Sequence, residues 1–194
     1  LLCSFLFYAD FIEIKDQFYL SKIVSLSILK VLLFLLPDHK CDFAIKWPND
    51  IYCGDKKLAG ILIENSLMGS KIQNTIVGLG LNIDQEVFPA ELPNPISLKN
   101  IDVSKAYSKR EIIKMIRMNV LSYFDQYKSP LWRERINAEY LNLLYRFNIN
   151  ANFSDENGLF EAKIVNVQED GRLILSLKNG DKKSYYFKEV EYKI

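Results

Sequence analysis

Lys46-Trp47-Pro48-Asn49-Asp50, followed seven residues after Asp50 by Lys57-Leu58-Ala59-Gly60-Ile61-Leu62-Ile63-Glu64, is the stretch on which the reading of this chain turns. Phe43-Ala44-Ile45 leads into it as a short strand, and Ile51-Tyr52-Cys53 leaves it. Proline fixes the backbone of the turn, so Lys46 and Asp50 can be held in a set relation at a strand end. A Gly54-Asp55 turn then closes a hairpin with the strand Leu58 to Glu64. Lys57 opens that strand, leaving its long side chain free to reach the same cleft. Gly60 removes a side chain where a ligand can lie against backbone.

Two ammonium groups beside a carboxylate suit a negatively charged substrate, because they screen the repulsion when one anion attacks another. Asp50 could hold a lysine in place or join a magnesium site. Composition alone fits a surface ion-pair cluster on a hairpin at least as well. Further on, the strand Thr75 to Ile83 carries Val77-Gly78-Leu79-Gly80-Leu81-Asn82. Its alternating glycines open one face of a sheet to a flat ligand, while Leu79 and Leu81 pack the other. Asn82, at the strand end, offers a donor and an acceptor. Bulge glycines would leave the same trace. A dinucleotide fingerprint is excluded, since the third glycine and the following helix are missing.

Around this centre the chain divides in two. Leu1 to Tyr8 is apolar and aromatic, consistent with a buried strand. From Asp16 to Leu36 the apolar positions Leu20, Ile23, Val24, Ile28, Val31 and Leu35 recur at helical spacing, and Pro37 closes the helix. The apolar run Leu20 to Leu36, interrupted by Lys22 and Lys30, reads as too short and too charged for a membrane span. Prolines 89, 93 and 95 mark a long loop, after which Ile96 to Leu98 is expected to be briefly extended. Ser108-Lys109-Arg110-Glu111 has capping-box form and opens one helix, and Pro130 opens a second that runs to about Tyr145. Beyond Asn148 only short alternating runs remain, at Phe160 to Val167, Arg172 to Leu177 and Lys183 to Phe187. Asn157-Gly158, Asp170-Gly171 and Asn179-Gly180 separate them, so residues 148–194 read as a β-barrel of about five strands after an α/β block over residues 1–147.

Bulk properties exclude several classes. In 194 residues with 49% apolar and 25% charged side chains, the composition is that of a globular protein. A net charge of +1 carries no polyanion signature, so nucleic acid is not an expected partner. His39 is the only histidine, which removes Ser-His-Asp triads and two-histidine metal sites, and its Pro-Asp-His-Lys setting reads as a solvated loop. Cys3, Cys41 and Cys53, an odd set without a C-x-x-C pair, fit a reducing cytoplasm better than a disulfide framework.

Taken in order and spacing, the Lys46–Asp50 turn, the Lys57–Glu64 strand and the Val77–Asn82 strand resemble the central signature of biotin–protein ligases. Pro95-Ile96-Ser97-Leu98 resembles that family's short segment after the active-site loop, and Leu1 to Phe7 its strand after the nucleotide loop. Gly171-Arg172-Leu173-Ile174-Leu175 and Phe187-Lys188-Glu189-Val190 fit its SH3-like domain. The resemblance implies an α+β fold: a mixed sheet packed by helices, of the class II synthetase-like kind, with a small C-terminal SH3-like β-barrel. It also implies a biotin–[acetyl-CoA-carboxylase] ligase reaction. Biotin and ATP, with Mg2+, give biotinyl-5′-AMP and pyrophosphate; a lysine on the biotin carboxyl carrier domain of a carboxylase then takes the biotin.

Carried over by residue, Lys57 would touch the biotin carboxyl and the phosphate. Lys46 and Asp50 would support the phosphate and metal region, and Asn82 the nucleotide. Gly60, Ile61, Gly78 and Gly80 would line the biotin pocket. The aromatic that often faces the biotin ring on the first strand corresponds to Leu2. The family's Gly-Arg-Gly-Arg-x-Gly-Arg loop would precede Leu1, so the chain reads as N-terminally truncated and, as it stands, a weak binder of the adenylate. Competing readings are a lipoate or octanoate ligase, a bifunctional ligase and DNA-binding biotin repressor, and a non-catalytic binding protein. The Trp47–Asp50 turn argues against the first, and retention of Lys57 and Asp50 against the last. A homodimer is left open.

Overall fold

The side-chain period of a strand is two, so a sheet covered on one side buries every second residue. Strand β1 (Leu2–Tyr8) obeys this: Phe5 and Phe7 face inward, while Leu2, Leu6 and Tyr8 are 89%, 61% and 75% exposed. The strand expected to be buried is therefore buried on one face only. This was seen in a computed structural model that describes residues 1–37 and 41–193. His39, expected in a solvated loop, lies outside the described residues.

After β1 the chain forms helix α1 (Phe18–Leu35), then β2 (Phe43–Lys46), β3 (Asp50–Cys53), β4 (Lys56–Met68) and β5 (Lys71–Leu81). These strands make one five-stranded sheet in the order β1-β5-β4-β3-β2. The mixed sheet expected from the resemblance is antiparallel at every pairing of these strands. Hairpins explain three of the four pairings, since β2, β3 and β4 are each joined to the next strand by a connection too short for a parallel crossover. The β4–β5 hairpin turns at Gly69, whose φ of +62° suits glycine, and both strands outrun their expected lengths.

Three helices cover the inner face: α1, α3 (Lys109–Tyr127) and α4 (Pro130–Asn142). Phe7 meets Phe124 of α3 edge-to-face at 5.5 Å, and Phe11 meets the same ring at 5.2 Å. Ser108 caps α3 by accepting from the Glu111 amide, but the reciprocal contact of a capping box is absent there. A complete box forms instead at Ser97, where Asn100 closes the short helix α2 (Leu98–Ile101). The segment expected to be extended thus ends as a helix start.

From Ile14 to Leu35 there are 22 residues long and apolar enough to cross a membrane, contrary to the expectation from the sequence. They lie in the core, with Leu20, Ile23, Leu26 and Ile28 fully buried. Lys22 is buried with them. Its ammonium donates to Asn137 Oδ1 at 2.7 Å and sits 4.8 Å over the Tyr19 ring, and burial lowers its pKa to about 8.

The second sheet runs β10-β6-β7-β8-β9, built from β6 (Asn150–Asp155), β7 (Gly158–Val167), β8 (Leu173–Leu177), β9 (Lys182–Tyr185) and β10 (Glu191–Tyr192). It is locked to the first by Trp47, 3% exposed, whose indole donates to the Gly171 carbonyl at 2.8 Å. Gly171 has φ +93°, and a Cβ there would stand 2.6 Å from the Phe18 ring, so only glycine fits the junction. Cys41 and Cys53 are joined as a disulfide at the open end of the β2–β3 hairpin, their Cα atoms 5.5 Å apart. The expectation of three free thiols is corrected accordingly; antiparallel pairing, which sets Phe43 opposite Cys53, brings the two together. Cys3 is the free cysteine.

Candidate active site

Pairing in the first sheet puts the chemistry at one place. Lys46 pairs Asp50 across the β2–β3 turn, Asp50 pairs Gly60, and Gly60 pairs Gly80. A line of four residues therefore crosses four strands at the same level. Asn49 fixes the turn, giving its amide Nδ2 to Ile61 O at 2.7 Å while Ile61 N–H returns to Asn49 O at 2.9 Å.

The outer face of the sheet holds a cleft of about 560 Å³ floored by Gly60, Gly78 and Gly80 and edged by Leu2, Leu62 and the Lys57–Asp50 pair. Lys57 Nζ is 2.7 Å from Asp50 Oδ1. A Cβ on Gly60 would lie 3.5 Å from both the Asp50 carboxylate and the Lys57 ammonium, so a side chain there would crowd the pair. At Gly78 a Cβ would meet only Leu62, at 3.6 Å; at Gly80 it would touch Leu2 Cδ2 at 3.4 Å. Glycine is therefore needed to keep the cleft empty rather than to satisfy the backbone.

A second cleft, about 700 Å³, opens on the other side of the same ion pair. Lys46, Trp47 and Pro48 form one wall, and Phe187, Lys188, Val190, Glu191 and Tyr192 of the second sheet form the other. Asn49, Asp50 and Lys57 line both clefts. Lys46 Nζ donates to Tyr52 Oη at 3.0 Å and stands over the Tyr52 and Tyr192 rings at 4.7 and 5.1 Å. A ligand with an apolar body and a polyanionic tail could straddle the junction, its reacting atoms beside Lys57.

Among the residues expected from the sequence, Lys57, Asp50, Gly60, Gly78 and Gly80 meet at the first cleft, and Lys46 faces the second. Ile61 borders the first cleft, but its side chain is 4% exposed and alternation turns it toward the core, so it is not an apolar wall. Asn82 lines neither cleft. Its Nδ2 donates to Ile96 O at 3.1 Å, which ties the segment after the long loop to the end of β5. Asp50 is the sole carboxylate edging the first cleft, and no cluster of three metal-ligating acidic, cysteine or histidine side chains exists among the described residues.

Comparison with known proteins bears directly on this geometry. Residues 1–82 match the biotin/lipoate A/B protein ligase family. The chain is 30% identical over 146 residues to the bifunctional ligase/repressor BirA of Bacillus subtilis, covering 73% of this chain and 44% of that protein. Over most of its length the chain is similar to biotin–protein ligases. It spans less than half the length of that curated relative. A 40-residue stretch is 50% identical to the biotin–[acetyl-CoA-carboxylase] ligase of Paracoccus denitrificans, covering 21% of this chain and 17% of that one. The biotin protein ligase of Aquifex aeolicus, solved in complex with biotin and ATP, superposes with a TM-score of 0.76 over 99% of this chain and 78% of its own. At 23% identity that likeness establishes the fold, α+β with a C-terminal β unit, as the resemblance implies.

What the sequence reading missed is the wall contributed by residues 187–192, for which only a place in the C-terminal β unit is expected. Its signal is weak: Phe187 closes an alternating run and reads as an ordinary strand residue, yet it proves 57% exposed. Tyr52 and Asn49 also escaped notice as site residues, because hydrogen bonding to Lys46 and Ile61 depends on strand pairing rather than on sequence neighbours.

Proposed function

We propose that this chain carries the catalytic centre of an ATP-dependent biotin–protein ligase. The observation that supports it best is the Lys57–Asp50 pair at the junction of an apolar, glycine-floored cleft and a lysine-walled one. Biotin, a fused ring system on an aliphatic acid, suits the first cleft, and the triphosphate suits the second.

In this reading the biotin carboxylate oxygen attacks the α-phosphorus of ATP. A new C–O–P linkage forms, the bond from the α-phosphorus to the bridging oxygen breaks, and its electron pair leaves with pyrophosphate. Lys57, close to both anions, offsets their repulsion and the charge that grows on the transferring phosphate. Asp50 orients the Lys57 ammonium. Magnesium, when bound, would supply charge neutralisation, and Asp50 is the carboxylate that would hold it beside the substrate phosphates. In the second step an acceptor lysine amine attacks the acyl carbon, and AMP departs with the electron pair of the broken C–O bond. The acceptor is a lysine on the biotin carboxyl carrier domain of a carboxylase.

A biotin-dependent exchange of labelled pyrophosphate into ATP by the full-length protein tests this. Exchange that follows biotin and is indifferent to lipoate is expected. Exchange driven by lipoate, or by neither acid, contradicts it.

A further inference from the structure

Charge around the second cleft does not balance. Its anions are Asp50, matched by Lys57 at 2.7 Å, and Glu191, matched by Lys193 at 2.8 Å. Two other ammonium groups line the cleft, Lys46 and Lys188, and among the described residues neither has a carboxylate within salt-bridge distance. Lys46 rests on tyrosines. Lys188 is exposed, its Nζ 5.6 Å over the Phe187 ring.

Lys188 also holds φ +72°, in the left-handed region where a residue with a Cβ is disfavoured and glycine is not. It sits in the turn before β10, at the edge of the cleft. Nothing about the turn requires a lysine there, and glycine would serve it better. A strained lysine on the wall of a cationic cleft points to a ligand.

We propose that Lys188 is a further substrate-binding residue, gripping the β- and γ-phosphates of the nucleotide together with Lys46 from the opposite wall. The inference rests on the adenylation reading above and deepens it. When the bond to the α-phosphorus breaks, the electron pair moves onto the departing pyrophosphate, and Lys188 meets that charge from the second sheet. Lysine suits this role as a point charge on a flexible stem. The second sheet is thereby part of the nucleotide site, not an appendage to it.

Lys188→Gly removes the ammonium while favouring the backbone, which separates charge from folding. Two measurements on the full-length protein decide the matter: calorimetric titration with inorganic pyrophosphate, and the KM values for ATP and biotin. Lys188→Gly should melt no lower than the wild type, bind pyrophosphate roughly tenfold more weakly and raise the KM for ATP by a similar factor, the size expected for one charge-assisted contact. The KM for biotin should stay put, and Lys188→Arg should recover most of the loss. Unchanged pyrophosphate binding in Lys188→Gly, or equal rises in both KM values, overturns the proposal. A pyrophosphate difference in a protein without biotin-dependent exchange would uphold Lys188 and sink the biotin reading instead.

Discussion

Lys57–Asp50 on the first sheet and Lys183–Asp155 on the second are both short lysine–aspartate contacts, 2.7 Å and 3.0 Å. Their surroundings differ in every other respect. The Asp155 carboxylate is 5% exposed and takes three donors: Lys183, the Tyr185 hydroxyl at 2.7 Å and the Asn157 amide at 2.9 Å. Those donors, Tyr185 foremost and then Lys183, hold its pKa down to about 2, while burial and Asp155 push Tyr185 up to about 12. Asp50 is 21% exposed and, among the described residues, takes Lys57 alone, and a missing side chain at Gly60 leaves space beside the pair. A saturated pair is a structural pin. An unsaturated pair facing a void has capacity left for a ligand, and this is what a list of charged residues cannot convey.

Exchanging the lysines for alanine should break the symmetry most sharply. Lys57→Ala is expected to lower biotin-dependent pyrophosphate exchange by several hundred-fold, in keeping with roughly 3–4 kcal/mol for one strong electrostatic stabiliser. Its thermal midpoint should barely move, because an exposed pair contributes about 0–1 kcal/mol. Lys183→Ala should do the reverse, leaving exchange intact while lowering the midpoint. Exchange by Lys57→Ala within tenfold of the wild type would count against the assignment.

A smaller effect tests the void itself. Gly78→Ala places a methyl group at ordinary contact distance from Leu62, so the fold accepts it and the cleft loses volume. Affinity for biotin, read by titration, should fall about tenfold at unchanged melting temperature, on the scale of 1–3 kcal/mol for overfilling a packed site. Affinity equal to the wild type would show that the ligand does not lie on the glycine floor.

The smallest effect concerns acid. A carboxyl whose folded pKa lies below its unfolded value near 3.9 stabilises fully above that value and loses its contribution as pH falls toward the folded one. Asp155 should therefore weaken the fold between about pH 4 and pH 2. Melting curves of Asp155→Asn should be less stable than the wild type at pH 6, and the gap should close across that window. A gap that persists undiminished at pH 2 would mean that the network does not depend on the ionised carboxylate.

How far the sequence could be read follows from where the information lies. The Lys46–Asp50 turn, the Lys57 strand and the glycine strand are each local patterns, and strand pairing aligns them at one level of the sheet. Helix α1 was legible from its spacing, though its buried Lys22 was not, because the rescuing groups Tyr19 and Asn137 include one 115 residues away. Strands β6 and β10 were missed, since Asn150–Asp155 is largely polar and Glu191–Tyr192 is too short to alternate. The wall at Phe187 and Lys188 and the Cys41–Cys53 link are tertiary events without a periodic trace. Asn82 shows what a strand-end pattern leaves out: its Nδ2 is engaged in holding the next segment, a partner 14 residues away.

A crystal structure of the full-length protein with a non-hydrolysable analogue of biotinyl-5′-AMP is the most direct test. The account places the fused rings on Gly60, Gly78 and Gly80, and the acyl–phosphate linkage within hydrogen-bond reach of Lys57 Nζ. An analogue bound elsewhere, with Lys57 still engaged only by Asp50, would contradict it.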